Sequence, residues 1–389
     1  MNERFVSDLY ESATIITPND DAHYFFGYYD LRASQGNRHL CHRVQFMDRL
    51  PVAEDVAELG YLEDGKFIPF ATTTAWNFQQ GALLQYHPTL ADTVFYNTYE
   101  DGKFSTVRHN YVTGEKFYTD RPVACISPDG KLGMAVNFGR IYDFRPGYGY
   151  AAAKDPYADV NIPAEDGIFL TDMETGKSRL LVNYEVLAKA AGFTEQQKVL
   201  VNHITFNPGS NKYMTLVRNF KPADGSGTWS TSLLLGDLEG NVKPVLTTTY
   251  VSHYIWVNDR ELVAHCSVEP GRKSMYCIDM ENCTWVEYDM PYFHDGGHPD
   301  IHCNISPDGS YIIGDGYVRG EYREIQYYKI ATGETRMILK AKSFKPSPND
   351  IRCDLHNRFV FDGEYVSFDT IQNGKRQVAI VPAAPINAL

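Results

Sequence analysis

The chain has 389 residues, 43% hydrophobic and 13% aromatic, with a formal net charge of −13. That charge argues against nucleic acid as a partner, since phosphate binding needs a basic field, and no apolar run reaches the length of a membrane span. Seven cysteines without framework spacing fit a reducing compartment. The opening MNERFVSDLYESATIITPND lacks the apolar heart of a signal peptide, so the expectation is a cytoplasmic protein that forms one domain over residues 1–389.

Residues 1–20 contain two short apolar runs, Phe5 to Tyr10 and Ala13 to Ile16, which can supply a strand to a sheet formed far along the chain. The next stretch, His23-Tyr-Phe-Phe-Gly-Tyr-Tyr-Asp30, reads as an inner strand followed by a rim loop. Buried tyrosine hydroxyls need partners, so Tyr28 and Tyr29 are candidate substrate contacts. In TTTAWNFQQ, residues 72–80, Trp76 stands beside Asn77, Gln79 and Gln80. An aromatic that stacks on a pyranose and amides that read its hydroxyls have this composition, which makes Trp76, Asn77 and Gln80 candidate sugar contacts.

Residues 137–150, NFGRIYDFRPGYGY, read as a loop that gathers two arginines and three tyrosines around Gly147 and Gly149. Glycine lets backbone approach a ligand closely, and the planar fork of arginine suits a carboxylate. Residues 151–165 read as a rim excursion, and YEVLAKAAGFTEQQKVL, residues 184–200, as a helical insertion broken at Gly192.

Two phrases recur along the whole chain. The first is an apolar strand, a turn and a second apolar strand. Its clear copies are Ile126-Ser-Pro-Asp-Gly130, Phe206-Asn-Pro-Gly209 and Ile305-Ser-Pro-Asp-Gly309, and weaker ones start at Gln35, His87, Trp256 and Phe361. The second marks a later turn: Tyr111-Val-Thr-Gly114, Asp172-Met-Glu-Thr-Gly176, Asp237-Leu-Glu-Gly240, Asp279-Met-Glu-Asn282 and Ile330-Ala-Thr-Gly333. Two hairpin turns per repeat define a four-stranded antiparallel meander of roughly forty to fifty residues, the unit of a propeller blade. Seven copies predict an all-β, seven-bladed β-propeller. The last repeat has too few strands of its own, so an N-terminal strand is expected to close the ring and remove its open edge.

Aligned on the first phrase, four histidines fall into one register. His203 stands three residues before Phe206, His253 three before Trp256, His302 three before Ile305 and His356 three before Phe359. Inner strands of successive blades begin beside the central channel, so these imidazoles should converge on one mouth, joined by His294 and His298 from the preceding loop. Histidines grouped with aspartate hold ions such as Zn²⁺ or Mn²⁺. Arg218 and Arg352 sit near the same blade starts and bring positive charge.

The sequence His203-Ile-Thr-Phe-Asn-Pro, then Ser252-His253-Tyr-Ile-Trp256, then Gly297-His298-Pro with His302-Cys-Asn-Ile-Ser-Pro-Asp308, resembles the oligogalacturonate lyases. These are seven-bladed propeller enzymes that cleave short pectic oligomers, and the propeller-type ulvan and rhamnosyl-glucuronate lyases share their scaffold. The resemblance is sharp over residues 200–315 and topological elsewhere. It implies that His203 matches a catalytic-site histidine and that His253 and His302 match metal ligands. Where the lyases carry Gln-x-x-His-x-His, this chain has His298-Pro-Asp-Ile-His302, with Asp300 or His298 in place of the middle ligand.

A uronate lyase removes the proton beside the sugar carboxylate and expels the oxygen at the neighbouring carbon. The carboxylate must be neutralised as the enolate-like charge grows, and a base and an acid must stand on either side. The expected roles are a divalent ion (Mn, Zn or Ca) held by His253, His298, His302 and His356; His203 as base; Tyr148 or Tyr150 as acid or hydroxyl partner; and Arg145 or Arg218 gripping the carboxylate of an acidic oligosaccharide. A glycoside hydrolase on the same ring would instead use carboxylates, with Asp30, Asp300 and Asp354 as candidates. A non-catalytic sugar-binding propeller would need no ion. A peptidase-associated propeller is disfavoured because no Gly-x-Ser-x-Gly elbow is present.

Overall fold

The structure, a computed structural model, describes residues 5–220, 229–288, 300–316, 321–343, 346–371 and 374–389. It contains seven antiparallel sheets that follow one another along the chain, each of four consecutive strands or a close variant. Their first, inner strands are His23–Phe25, Gln85–Tyr86, Val123–Ile126, Val199–Phe206, Val251–Trp256, His302–Ile305 and Arg358–Val360. These define blades 1 to 7 of the expected propeller. Blade 4 shows why its sequence is so apolar: the strands Val199–Phe206, Lys212–Asn219 and Thr231–Asp237 are buried on both faces, because each blade is packed between two neighbours.

Both recurring phrases are turns. In the first, Asp129 Oδ1 accepts from the Ser127 hydroxyl and the Lys131 N–H, and Asp308 does the same for Ser306 and Ser310. In the second, Asp172 and Asp279 each accept two backbone N–H groups just ahead of them, the usual way an aspartate fixes a turn.

The ring closes as expected. Thr14–Ile15 is the outer strand of blade 7, with Thr14 opposite Ile380 and Ile15 opposite Ala379. The remainder of the N-terminal segment does something the sequence did not suggest: Phe5–Val6 adds a fifth strand to the edge of blade 6, opposite Ala341 and Lys340.

Two insertions are helical. Helix α1, Tyr184–Ala191, starts on the Asn183 side chain and ends at Gly192, whose φ of +78° matches the break read from the sequence. The segment read as a loop at residues 137–150 contains another helix, Phe138–Phe144, because Asn137 Oδ1 accepts the Arg140 N–H and caps it.

A larger correction concerns the first blade. Its inner strand ends at Phe25 and resumes only at Ser34–Gln35, and the residues between them are not a rim loop. They run through the central channel and touch every other blade. Arg32 O accepts the Tyr86 N–H of blade 2, and Arg32 Nη2 donates to Pro128 O of blade 3. Tyr28 stacks on His203 of blade 4. The Tyr29 hydroxyl donates to Tyr254 O of blade 5, and Tyr29 O accepts from Asn304 of blade 6. Gly27 O faces His356 Nδ1 ahead of the blade 7 inner strand at 2.8 Å. This segment is an axial plug, and it divides the channel in two.

Candidate active site

The four histidines aligned in the sequence meet at one end of that channel, three of them on inner strands and His356 just ahead of one. The ring centroids of His253 and His302 are 3.8 Å apart and those of His302 and His356 are 4.2 Å apart. His203 lies flat on Tyr28 at 5.6 Å, and Tyr28 turns its edge to His356 at 5.3 Å. All four rings are 1–6% exposed. Burial, reinforced by neighbouring positive groups, holds His203, His302 and His356 well below the usual histidine range, so each is a neutral imidazole near pH 7.

Among the described residues, one group of side chains places its donor atoms within 4.8 Å of one another: His302, Asp354 and His356. His302 Nδ1 is 2.8 Å from Asp315 Oδ1, whose partner oxygen accepts the Leu355 N–H. His356 Nδ1 donates to Gly27 O, since a carbonyl can only accept. In consequence the two Nε2 atoms point inward, buried and with no hydrogen-bond partner, at 3.9 and 3.8 Å from Asp354 Oδ2. His356 is held there in a left-handed backbone conformation, φ +44°, a strained geometry that clusters at functional sites. Two oriented imidazole nitrogens and a carboxylate oxygen suit a divalent ion, and the outer hydrogen bonds are those that fix metal-ligating histidines. The donor set fits such an ion.

Asp354 also joins this group to the tyrosines. Burial alone would raise its carboxyl, but Arg323 and Arg352 hold it well below the usual range. Arg352 Nε lies 2.8 Å from Asp354 Oδ2, and Arg323 Nη2 contacts Oδ1. Arg352 Nη2 in turn donates to the Tyr148 hydroxyl at 2.9 Å. On the other flank, His253 Nδ1 is 2.7 Å from Asp300 Oδ1, and Ser252 donates to Asp300 Oδ2. His265 approaches the same carboxylate at 3.5 Å.

No protein-family model and no curated protein sequence matches the chain. Solved structures do. An oligogalacturonate lyase in complex with manganese superposes with a TM-score of 0.64 at 16% identity, covering 98% of this chain and 97% of that one. The oligogalacturonate lyase of Vibrio parahaemolyticus superposes with a TM-score of 0.63 at 13% identity, covering 97% and 96%. The β-propeller domain of the trilobed protease of Pyrococcus furiosus follows more distantly, with a TM-score of 0.50 at 10% identity, covering 95% and 94%.

This chain has the fold of the oligogalacturonate lyases. The likeness extends over nearly the full length, well beyond the residues 200–315 that carry it in the sequence. Against what that resemblance implies, the geometry divides the histidines. His302 and His356 belong to the group of three donors, whereas His253 lies beside it, turned by Asp300. His294 and His298 fall outside the described residues. Asp300 is paired with His253 and lies outside the group of three, whose third donor is Asp354. Asp354 and His356 are only two residues apart, but the backbone there is irregular, so no strand alternation announced the pairing.

Other expectations are redistributed. Tyr148 is at the site, its ring 5.7 Å from His203, with Arg145 over its face at 4.4 Å. Arg145 pairs with Asp350 at 3.0 Å. Arg218 is buried and braces structure, donating to Asn202, Thr231 and Val251 O, so it is not a free carboxylate grip. Tyr150 is not at the site: it stacks on Phe138 at 4.3 Å and its hydroxyl accepts from Asn97. Trp76 is 1% exposed, sealed among Phe25, Phe46 and Phe78, with its Nε1 on Asp55 O. A ring closed on both faces cannot stack on a sugar. Asn77 is equally buried: it caps the Gln79 and Gln80 N–H groups and donates to Gly149 O. Gln80 is 8% exposed and packs its backbone on Gly27. The loop supports the plug and offers no sugar-facing surface.

Proposed function

We propose that the protein is a carbohydrate lyase that cleaves uronic-acid-containing oligosaccharides by β-elimination at this cluster. The observation that carries the reading is the meeting of same-register histidines from blades 4 to 7 with Asp354, two arginines and Tyr148. A divalent ion held by His302, His356 and Asp354 would supply Lewis acidity toward the substrate carboxylate; Mn, Zn and Ca all remain candidates for it.

The chain's own groups then have distinct tasks. His203 is neutral, and no described residue hydrogen-bonds its ring nitrogens, so it is free to take the proton next to the sugar carboxylate. The Tyr148 hydroxyl accepts from Arg352, which leaves its own proton to be given to the departing oxygen. Arg145, over the Tyr148 ring, adds positive charge where the anionic sugar would lie. His253, fixed by Asp300, walls the opposite side.

Hydrolysis is less well served. Asp300 and Asp354 are committed to histidine and arginine partners, and Asp30 lies on the far side of the plug. Hydrolysis would need two carboxylates free to flank the glycosidic bond. The test is to incubate the protein with uronate oligosaccharides and a divalent metal, following the near-ultraviolet absorbance of the unsaturated product. A rise is expected. New reducing ends without that rise indicate hydrolysis, and binding with neither indicates a recognition propeller; each outcome defeats the proposal. In the cell we place this activity in the cytoplasm, the compartment that seven unpaired cysteines suit.

A further inference from the structure

Beyond the plug, at the opposite mouth of the channel, lies a second cavity of about 310 Å³, walled by Asp30, Arg32, Gln85, Cys125, Thr205 and Trp256. It occupies the turn ends of the inner strands: Trp256 closes the strand that His253 begins, and Phe206 closes that of His203. The volume is in the range of small-molecule sites. We propose that this chamber binds a small organic cation, with an ammonium group seated on Asp30 and against the indole of Trp256.

Charge is the first reason. Asp30 opens onto the chamber, and no other described residue hydrogen-bonds or ion-pairs with its carboxylate. Arg32 is directed elsewhere, to Gln85 Oε1 and Pro128 O, both at 3.2 Å. The other titratable groups facing Asp30 are Tyr28, Tyr29, Tyr254 and Cys125, all held in their neutral forms by burial. Loss of hydration against the chamber wall raises the Asp30 carboxyl to about 6. A cationic guest would neutralise that charge, which a neutral guest cannot do.

Shape and chemistry agree. Trp256, Tyr254 and Phe206 line the cavity, and an indole face is the best aromatic surface for a cation. The net charge of −13 draws cations toward the protein.

Choline and dimethylbutanol, its uncharged carbon isostere, provide the test by calorimetric titration of the full chain. Choline is expected to bind with one-to-one stoichiometry, on the order of tenfold more tightly than the alcohol. Binding should weaken as the pH falls through about 6, where Asp30 takes a proton. Asp30→Asn should abolish the preference for choline. That variant should also fold: a carboxyl raised in the folded state lowers stability as the pH rises through its folded value, so the amide variant should unfold at a higher temperature than wild type in alkaline buffer, the gap closing in acid. Equal binding of the two probes, no detectable binding of choline, or a preference that survives Asp30→Asn would each overturn the proposal.

Discussion

At His302 the chemistry of the site reduces to one imidazole with a task for each nitrogen. Nδ1 is tied to Asp315 and Nε2 faces the cluster, so the outer carboxylate sets both the ring's angle and the atom that carries its lone pair. Asp315→Asn should keep the fold, because the amide oxygen can still accept the Leu355 N–H, yet weaken Mn²⁺ binding by about 10–100-fold. Titration of the metal into variant and wild type checks this, and equal affinities would remove the ion from this site. Most of the histidine register was legible in the sequence, because His203, His253 and His302 each stand three residues before the end of an inner strand, whereas His356 precedes its strand and stands four residues before the end. Asp315, Arg323 and the place of Asp354 in the donor group were not. Their value lies in contacts between blades 6 and 7, and a sequence without partners in view gives a buried aspartate no address.

Among the elements, the axial plug decides what kind of channel this is. Tyr28 and Tyr29, 2% and 1% exposed, fill the axis and give the histidines a floor. Gly27 makes that path possible: its φ is +113°, and a Cβ there would sit 2.9 Å from the Gln80 carbonyl carbon. Gly27→Ala should therefore cost about 1–3 kcal/mol and displace the carbonyl that orients His356. Thermal unfolding and metal affinity should fall together; loss of neither would mean that the plug does not position the site. The aromatic density of residues 23–30 was visible in the sequence. Its destination was not, because local pattern says nothing about a hole on the axis of a ring that only the whole chain creates. The same gap explains Trp76: its neighbours suggested a sugar platform, while the three phenylalanines that enclose it could not be seen as its partners before the chain had folded.

For the whole molecule, the N-terminal segment fastens the ring. It completes blade 7 through Thr14–Ile15 and extends blade 6 through Phe5–Val6. A chain beginning at Thr17 would expose two sheet edges and lose the burial of Phe5, alone worth about 2 kcal/mol. Its unfolding midpoint should drop by several degrees and its tendency to aggregate should rise; an unchanged midpoint would show that the ring holds without its clasp. The architecture was the most legible level, since the turn phrases recur along the chain with the spacing of a meander.

The central claim is that histidines far apart in sequence form one ion-holding centre at the mouth of this ring. Anomalous diffraction from crystals soaked in Mn²⁺ tests it most directly. A single strong peak among His302 Nε2, His356 Nε2 and the Asp354 carboxylate is the predicted result. No peak there, with manganese found only on exposed carboxylates elsewhere, would contradict the account.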